Sequence, residues 1–326
     1  MPSPNLSELI TTTLRNRTGK LADNVTDNNA LLLRLKQKGN ARPAGGGRTL
    51  VQELDYNEND TFLWYSGLDT LNVTQQDVLT SAEFDWKQCA VSVIFSGLEQ
   101  LQNSGKERVI DWLSARVTNA ERTMTNRIAQ GVYAPGTGSG GKEIGGLQFL
   151  VSTTPTSGIV GGINRATATN AFWRNFSRDS SAASPSVVAG PTTVQSEFNL
   201  MYSNIVRGRD KPDLIIVHNT WWNYYLNSLQ LIQRITDDNM GQAGFMSLKY
   251  MEADVVLDGG VGGNCPTDTA YFLNTDYIHY RPHTDRNMTQ IHGDRMNTNQ
   301  DAIVKIIGWC GNMTLSNAFL QGVLTV

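Results

Sequence analysis

Several groups of residues have the types and spacing that chemistry uses. Gly136 to Glu143, GTGSGGKE, matches the phosphate-cradling pattern G-x-x-x-x-G-K as far as its last position. That position needs a Ser or Thr hydroxyl to hold Mg²⁺. Here it is Glu143, whose charge repels phosphate. A phosphate loop also follows a buried strand and opens a helix, so that N–H groups and the helix dipole converge on the anion. In this chain a helical pattern precedes the glycines, and residues 146–151 read as a strand. His279, His283 and His292 lie near Asp285 and Asp294, which are ligand types for zinc. Pro282 keeps His279 and His283 off a common helical face. On a strand, four residues separate them by more than about 10 Å. His218 reads as a core or capping residue at a strand end, and Cys89 falls inside an alternating strand where a nucleophile is buried. No G-x-S-x-G occurs. Trp221-Trp222 and Tyr224-Tyr225 are a stacking platform or, at helical spacing, core. No catalytic residue, cofactor or metal is assigned.

The elements that would position such groups carry more signal than the groups do. Residues 1–47 are helical in pieces and close at Arg42-Pro-Ala-Gly-Gly-Gly47, too short and polar for a domain; they form an arm. Residues 49–54 alternate, and TFLWYSGLDTLNV (61–73) is aromatic and β-branched, which predicts a long hairpin with an irregular return strand. A two-stranded ribbon has no core of its own, yet this one carries Phe62, Leu63, Trp64 and Tyr65 and must lie on something. The segment 83–96 alternates as a strand, with Val91, Val93 and Phe95 on one face. Ser104-x-x-Glu107 is a capping box. Ile110, Leu113, Val117, Ala120, Met124 and Ile128 follow it as one apolar stripe, predicting a helix over 104–130, about 40 Å long. Further expectations are a helix at 193–206 capped at Thr192, strands at 213–218, 253–258, 269–274 and 277–281, and a helix opening at Asn219 or Thr220. The strand-rich segment 302–326 should pair with 83–96, which makes the middle of the chain a domain inserted into another.

The chain has 326 residues, room for about two domains, and is 40% hydrophobic but only 17% charged. A surface poor in charge suits one that is covered by other protein, because desolvating charge is costly. Net charge is −3, so the whole chain is no polyanion binder, but the charge is unevenly placed. Eight basic residues, Arg34, Lys36 and Lys38 among them, face three acidic ones in residues 1–48. Between Arg48 and Lys87 there is no basic residue, while Glu53, Asp55, Glu58, Asp60, Asp69, Asp77, Glu83 and Asp85 are acidic. A basic arm and an acidic ribbon complement each other between copies. The three cysteines lack zinc or disulfide spacing, which fits a reducing compartment. No signal peptide or membrane-spanning apolar run is evident.

This order of parts resembles the major capsid proteins of tailed bacteriophages, the Hong Kong 97-like fold, shared more distantly with herpesvirus capsid proteins. Local phrases are similar to one subgroup: GKLADNVTDNNALL (19–32), TSAEFDWKQCAVSV (80–93), SGLEQLQNSG (96–105) and VGGINRATATNAFWRN (160–175). The resemblance implies an α+β fold with 1–47 as N-terminal arm and 48–81 as an extended E-loop lying over a neighbour. It implies a peripheral domain of 82–140 and 295–326 with the spine helix, and an axial domain of 141–294. It further implies hexamers and pentamers closing into an icosahedral shell around double-stranded DNA, assembled in the host cytoplasm. A portal, a scaffolding protein and a cement protein are then the expected partners.

Under that resemblance Glu53, Asp55, Phe62, Trp64, Tyr65, Arg34, Lys36 and Lys38 are expected at assembly interfaces. Gly136, Gly138, Gly140 and Gly141 are expected at an inter-domain hinge. Some family members weld an E-loop Lys to a neighbour's Asn; this ribbon has no Lys, so contact is expected to be non-covalent. The arm starts close to Met1, which leaves scaffolding to a separate protein or marks a matured chain. An encapsulin-like compartment shell and a nucleotide- or metal-dependent enzyme are the alternatives.

Overall fold

A computed structural model describes residues 29–102, 110–182, 188–229, 247–259, 263–291, 295–297 and 300–326. Helix α1 (Ala30–Gln37) starts where the Asn29 side chain accepts hydrogen bonds from the Leu31 and Leu32 N–H groups, at 3.0 and 3.2 Å. Strand β1 (Leu50–Asp55) pairs antiparallel with β2 (Leu79–Phe84), Leu50 opposite Phe84 and Asp55 opposite Leu79. The return strand is therefore 79–84. Residues 61–73, expected as strand, form none, because among the described residues nothing offers their backbone a pairing edge.

The expected strand 83–96 is broken at Asp85-Trp86 and resumes as β3 (Lys87–Ser96), burying Val93 and Phe95 and half-burying Val91 as the alternation requires. A short helix α2 (Gly97–Gln102) leads toward α3 (Ile110–Tyr133), 24 residues and about 36 Å long. Val117, Ala120, Met124 and Ile128 of its predicted stripe are buried. The expected capping box at Ser104–Glu107 lies outside the described residues.

After the glycine turn, 146–151 forms the short helix α4 (Leu147–Leu150) rather than a strand. Residues 158–175 then make a compact knot from β4 (Ile159–Val160), β5 (Ile163–Asn164) and a 3-10 helix at Ala168–Trp173. Its interior carbonyls accept from arginines. Arg165, fully buried, donates to the Leu150 carbonyl at 2.7 Å, and Arg174 donates to the carbonyls of Arg165, Ala166 and Thr167. Trp173 Nε1 donates to the Val160 carbonyl at 2.9 Å.

Beyond the knot lie β6 (Phe176–Asp179), α5 (Val194–Asn204), β7 (Leu214–Val217) and α6 (Asn219–Ser228). The cap of α5 is Thr193 rather than Thr192, with no side-chain bond to the helix. Then follow β8 (Ser247–Tyr250), β9 (Ala253–Leu257), β10 (Thr269–Leu273), β11 (Ile278–Pro282), β12 (Thr289–Gln290), β13 (Arg295–Asn297), β14 (Gln300–Leu315) and β15 (Gly322–Thr325).

Two sheets organise the molecule. One runs β6-β15-β10-β7-β9-β8, with α5 and α6 on it around Phe198, which stacks on Tyr225 at 5.4 Å and meets Phe272 edge-on at 5.1 Å. In the other, long β14 pairs with β3 on one side and with β11, β12 and β13 on the other. The pairing expected between the C-terminal segment and 83–96 is that of β14 with β3, Ala302 opposite Ser96 through Gly311 opposite Lys87. The sheets do not divide at 294/295, however. Strands β11 and β12 belong with β14, and terminal β15 belongs to the six-stranded sheet, parallel to β6 and antiparallel to β10. One continuous core joins both parts, from Phe95 and Met124 through Tyr133 and Leu147 to Leu214 and Tyr271.

Candidate assembly surfaces

The ribbon's base is held firmly while its far end is bare. Gly161 accepts a hydrogen bond from the Glu83 N–H at 2.9 Å, with a φ of +60°. A Cβ there would stand 2.8 Å from that of Ala82 and 3.1 Å from the Phe84 ring. The Tyr56 and Phe172 rings meet at 5.1 Å. The knot thus buttresses the ribbon, a role sequence reading missed. Its one available signal was the Gly161-Gly162 pair beside Trp173, which marks close backbone approach. Leu54, Ala82 and Phe84 are buried at this base.

Between the strands, the Tyr56 N–H donates to the Val78 carbonyl at 3.1 Å, and the loop beyond turns on local bonds: Asn59 and Asn72 side chains accept from Thr61 and Thr74, and Asp69 accepts from the Ser66 N–H. Phe62, Trp64 and Tyr65 are 73%, 90% and 65% exposed, and Leu68, Leu71 and Val73 are exposed with them. Phe62 and Trp64 touch edge-on at 5.5 Å. Glu53 and Asp55 face solvent. Large aromatics left in water by a held ribbon form a patch of the kind that other protein covers.

The basic arm is used differently from expectation. Arg34 Nε lies 3.0 Å from Asp213 Oδ2, and Arg34 Nη1 lies 3.4 Å from buried Asp254. Lys38 Nζ lies 3.2 Å from Asp213 and 2.8 Å from Asp276. These two charges face the subunit's own acids while keeping part of their surface in solvent. Buried Ala30, Leu31, Leu32 and Leu35 seat α1, and residues 40–44 continue along β11 through Tyr280 N–H to Asn40 O and Ala44 N–H to Pro282 O bonds. Burial raises the Asp213 carboxyl. The Thr275 N–H and hydroxyl, Lys38 and Arg34 outweigh that and hold it below the usual carboxylate value.

The glycine turn is tight and pinned. Gly136, Gly140 and Gly141 take φ of +71°, +69° and +79°, and a side chain at Gly138 would displace the exposed Glu143 carboxylate. Lys87 Nζ donates to the Gly141 carbonyl at 2.6 Å, and the Gly145 N–H donates to buried Asn312 at 3.0 Å. The turn follows a helix, α3, rather than a buried strand, and Ser139 and Gly140 within it take left-handed φ, so it lacks the strand-loop-helix geometry in which N–H groups converge on phosphate.

Other chemical candidates resolve as structure. Among the described residues no group of three His, Cys, Asp or Glu could hold a metal ion, and His292 and Asp294 lie outside them. His279 sits half-buried on β11, where burial and then Arg281 and Arg42 push it down to about 4. His218 caps α6, its Nδ1 accepting from the Asp268 N–H at 3.3 Å. Trp221, Trp222 and Tyr225 are core, which settles the aromatic run. Cys89, expected buried, keeps contact with solvent on β3, while the sheltered thiol is pushed up to about 11 by desolvation and then by Cys310.

No protein-family profile matches the sequence. No curated protein is similar to it. Solved structures are. A chain of the cyanophage A-1(L) capsid asymmetric unit superimposes with a TM-score of 0.62 at 13% identity, over 88% of this chain and 90% of that one. The capsid of the native GTA particle gives 0.57 at 11%, over 89% of each. A virus-like particle from Pyrococcus furiosus gives 0.51 at 9%, over 98% and 99%. Likeness at these identities is likeness of fold, and the fold of this chain is the α+β, Hong Kong 97-like one of tailed-phage capsid proteins.

Proposed function

We propose that this chain is the major capsid protein of a tailed bacteriophage, self-assembling as hexamers and pentamers into an icosahedral shell around double-stranded DNA. The observation that carries the reading is the ribbon: a rigidly buttressed pair of strands whose tip leaves Phe62, Trp64 and Tyr65 in water. In a monomer such a tip is a liability. Repeated on every subunit and laid over a neighbour, it becomes one of many modest contacts that sum by avidity. With no Lys in the ribbon, those contacts are non-covalent or reinforced by a separate cement protein. The glycine turn is then proposed as the joint between rings of five and six, and the Lys87–Gly141 and Gly145–Asn312 bonds that hold it in this subunit would have to exchange when its angle changes. A portal and a scaffolding protein complete the partners, and the virion is the destination.

Electron microscopy of the purified chain tests this: closed shells or capsomer rings support it, and a monomer under all conditions overturns it. Deleting 56–62, or Trp64→Asp, should leave the far-ultraviolet spectrum intact and abolish shells. The near full-length match to a virus-like particle supports a second reading, a non-viral compartment shell. Nucleic acid rather than cargo protein inside the particles decides for the first.

A further inference from the structure

Where the long helix meets the six-stranded sheet, two buried polar atoms are left without partners. One is the hydroxyl of Tyr133, the last residue of α3 and 2% exposed. The other is Oδ2 of Asp258, the residue that follows β9. The carboxylate faces the hydroxyl and, after desolvation, pushes it well above its ordinary value, which keeps it a neutral donor. Yet neither atom has a hydrogen-bond partner among the described residues. Burying a donor and a charged acceptor without pairing them is costly, and native structures seldom do so without a reason.

Backbone bonds from different parts of the fold hold each side. The Ala134 N–H donates to the Gly131 carbonyl, and the Gly146 N–H donates to the Ala134 carbonyl, both at 3.1 Å. A Cβ at Gly146 would stand 2.4 Å from the carbonyl oxygens of Gly131 and Val132, so the end of α3 is packed hard against the chain leaving the glycine turn. Asp258 donates its N–H to the Val217 carbonyl at 3.2 Å, and its carbonyl accepts from the Cys265 N–H at 2.9 Å. Its Oδ1 accepts from the Asn264 N–H at 3.2 Å, which leaves Oδ2 over. The neighbouring Cys265 thiol is turned to the Thr269 carbonyl at 3.6 Å and does not serve it. The gap between hydroxyl and carboxylate is therefore set by how α3 sits against the six-stranded sheet. We propose that Tyr133 and Asp258 are a latch between the long helix and that sheet, open in the free subunit and closed, hydroxyl to Oδ2, when the subunit takes its place among other copies of this chain. This rests on the shell reading above and goes beyond it by naming a bond that differs between the two states. An equilibrium between two shapes is shifted only by an interaction that differs between them. A bridging water would also satisfy both atoms, but it would do so equally in either state.

The test is a double-mutant cycle read in both states. Tyr133→Phe and Asp258→Asn, alone and together, are compared by urea unfolding below the assembly threshold and by the concentration at which shells form. Tyr133→Phe should raise the urea midpoint of the free subunit, because an unpaired buried hydroxyl is gone. It should also raise the concentration needed for assembly by about tenfold, because the latch is lost. Asp258→Asn retains an oxygen for the Asn264 N–H and should raise that threshold as well. The double variant should assemble no worse than Tyr133→Phe alone, since both changes remove one bond. A Tyr133→Phe subunit that is destabilised or fails to fold marks a static, bridged pair and overturns the latch. An unchanged assembly threshold, or additive losses in the double variant, overturns it equally, and wild-type shells then leave the shell reading standing. A wild-type chain that forms no shells overturns that reading and this inference together.

Discussion

Asp213 shows how one side chain decides what a basic arm is for. Its two oxygens take the Thr275 N–H and hydroxyl, each at 2.7 Å, while Arg34 and Lys38 lie on Oδ2. The carboxyl is held below its ordinary value, so its contribution is fully present above the unfolded value near about pH 4 and is lost as pH falls through the folded one. Asp213→Asn should cost about 2 kcal/mol in urea unfolding at neutral pH and flatten the acid limb of the stability curve. Residues 29–47 should also become more sensitive to limited proteolysis. Neutralising Arg34 and Lys38 should lower subunit stability rather than change DNA packaging, which a packaging assay on folded double variants checks. The basic composition of the arm was legible in the sequence. Its partners were not, because Asp213 and Asp254 are brought beside α1 only by strands far along the chain.

At the scale of elements, the ribbon depends on the knot beneath it. Gly161→Val places a side chain against Ala82 and Phe84 at a left-handed φ, and should cost about 2 kcal/mol. The expected signature is selective. Thermal unfolding shifts modestly, while assembly fails more than that loss explains, because the ribbon leaves its buttress at a new angle. Calorimetry beside particle yield separates the two effects. Strands β3 and β7 and helices α3, α5 and α6 were readable because each carries its own periodicity. Residues 61–73 were misread for a matching reason: β-propensity reports fitness for a half-buried pleated surface. Among the described residues no such surface meets this segment.

At the scale of the whole molecule, assembly that uses the acidic ribbon should be salt-sensitive, since exposed charges are screened within about 8 Å at physiological ionic strength. Light scattering at rising salt should therefore show slower association. The sequence alone determined the order of parts, the amphipathic spine, the alternating strands, the acidic ribbon and the failure of GTGSGGKE as a phosphate loop, because these depend on neighbours within a few residues. Tertiary structure alone decided the rest. It put β15 in the six-stranded sheet and β11 beside β14, set Arg34 and Lys38 against Asp213, and tied the Gly136 to Gly141 turn to Lys87. Each of these joins residues distant in the chain, and strand pairing and charge neutralisation are satisfied by whichever partner the fold brings close.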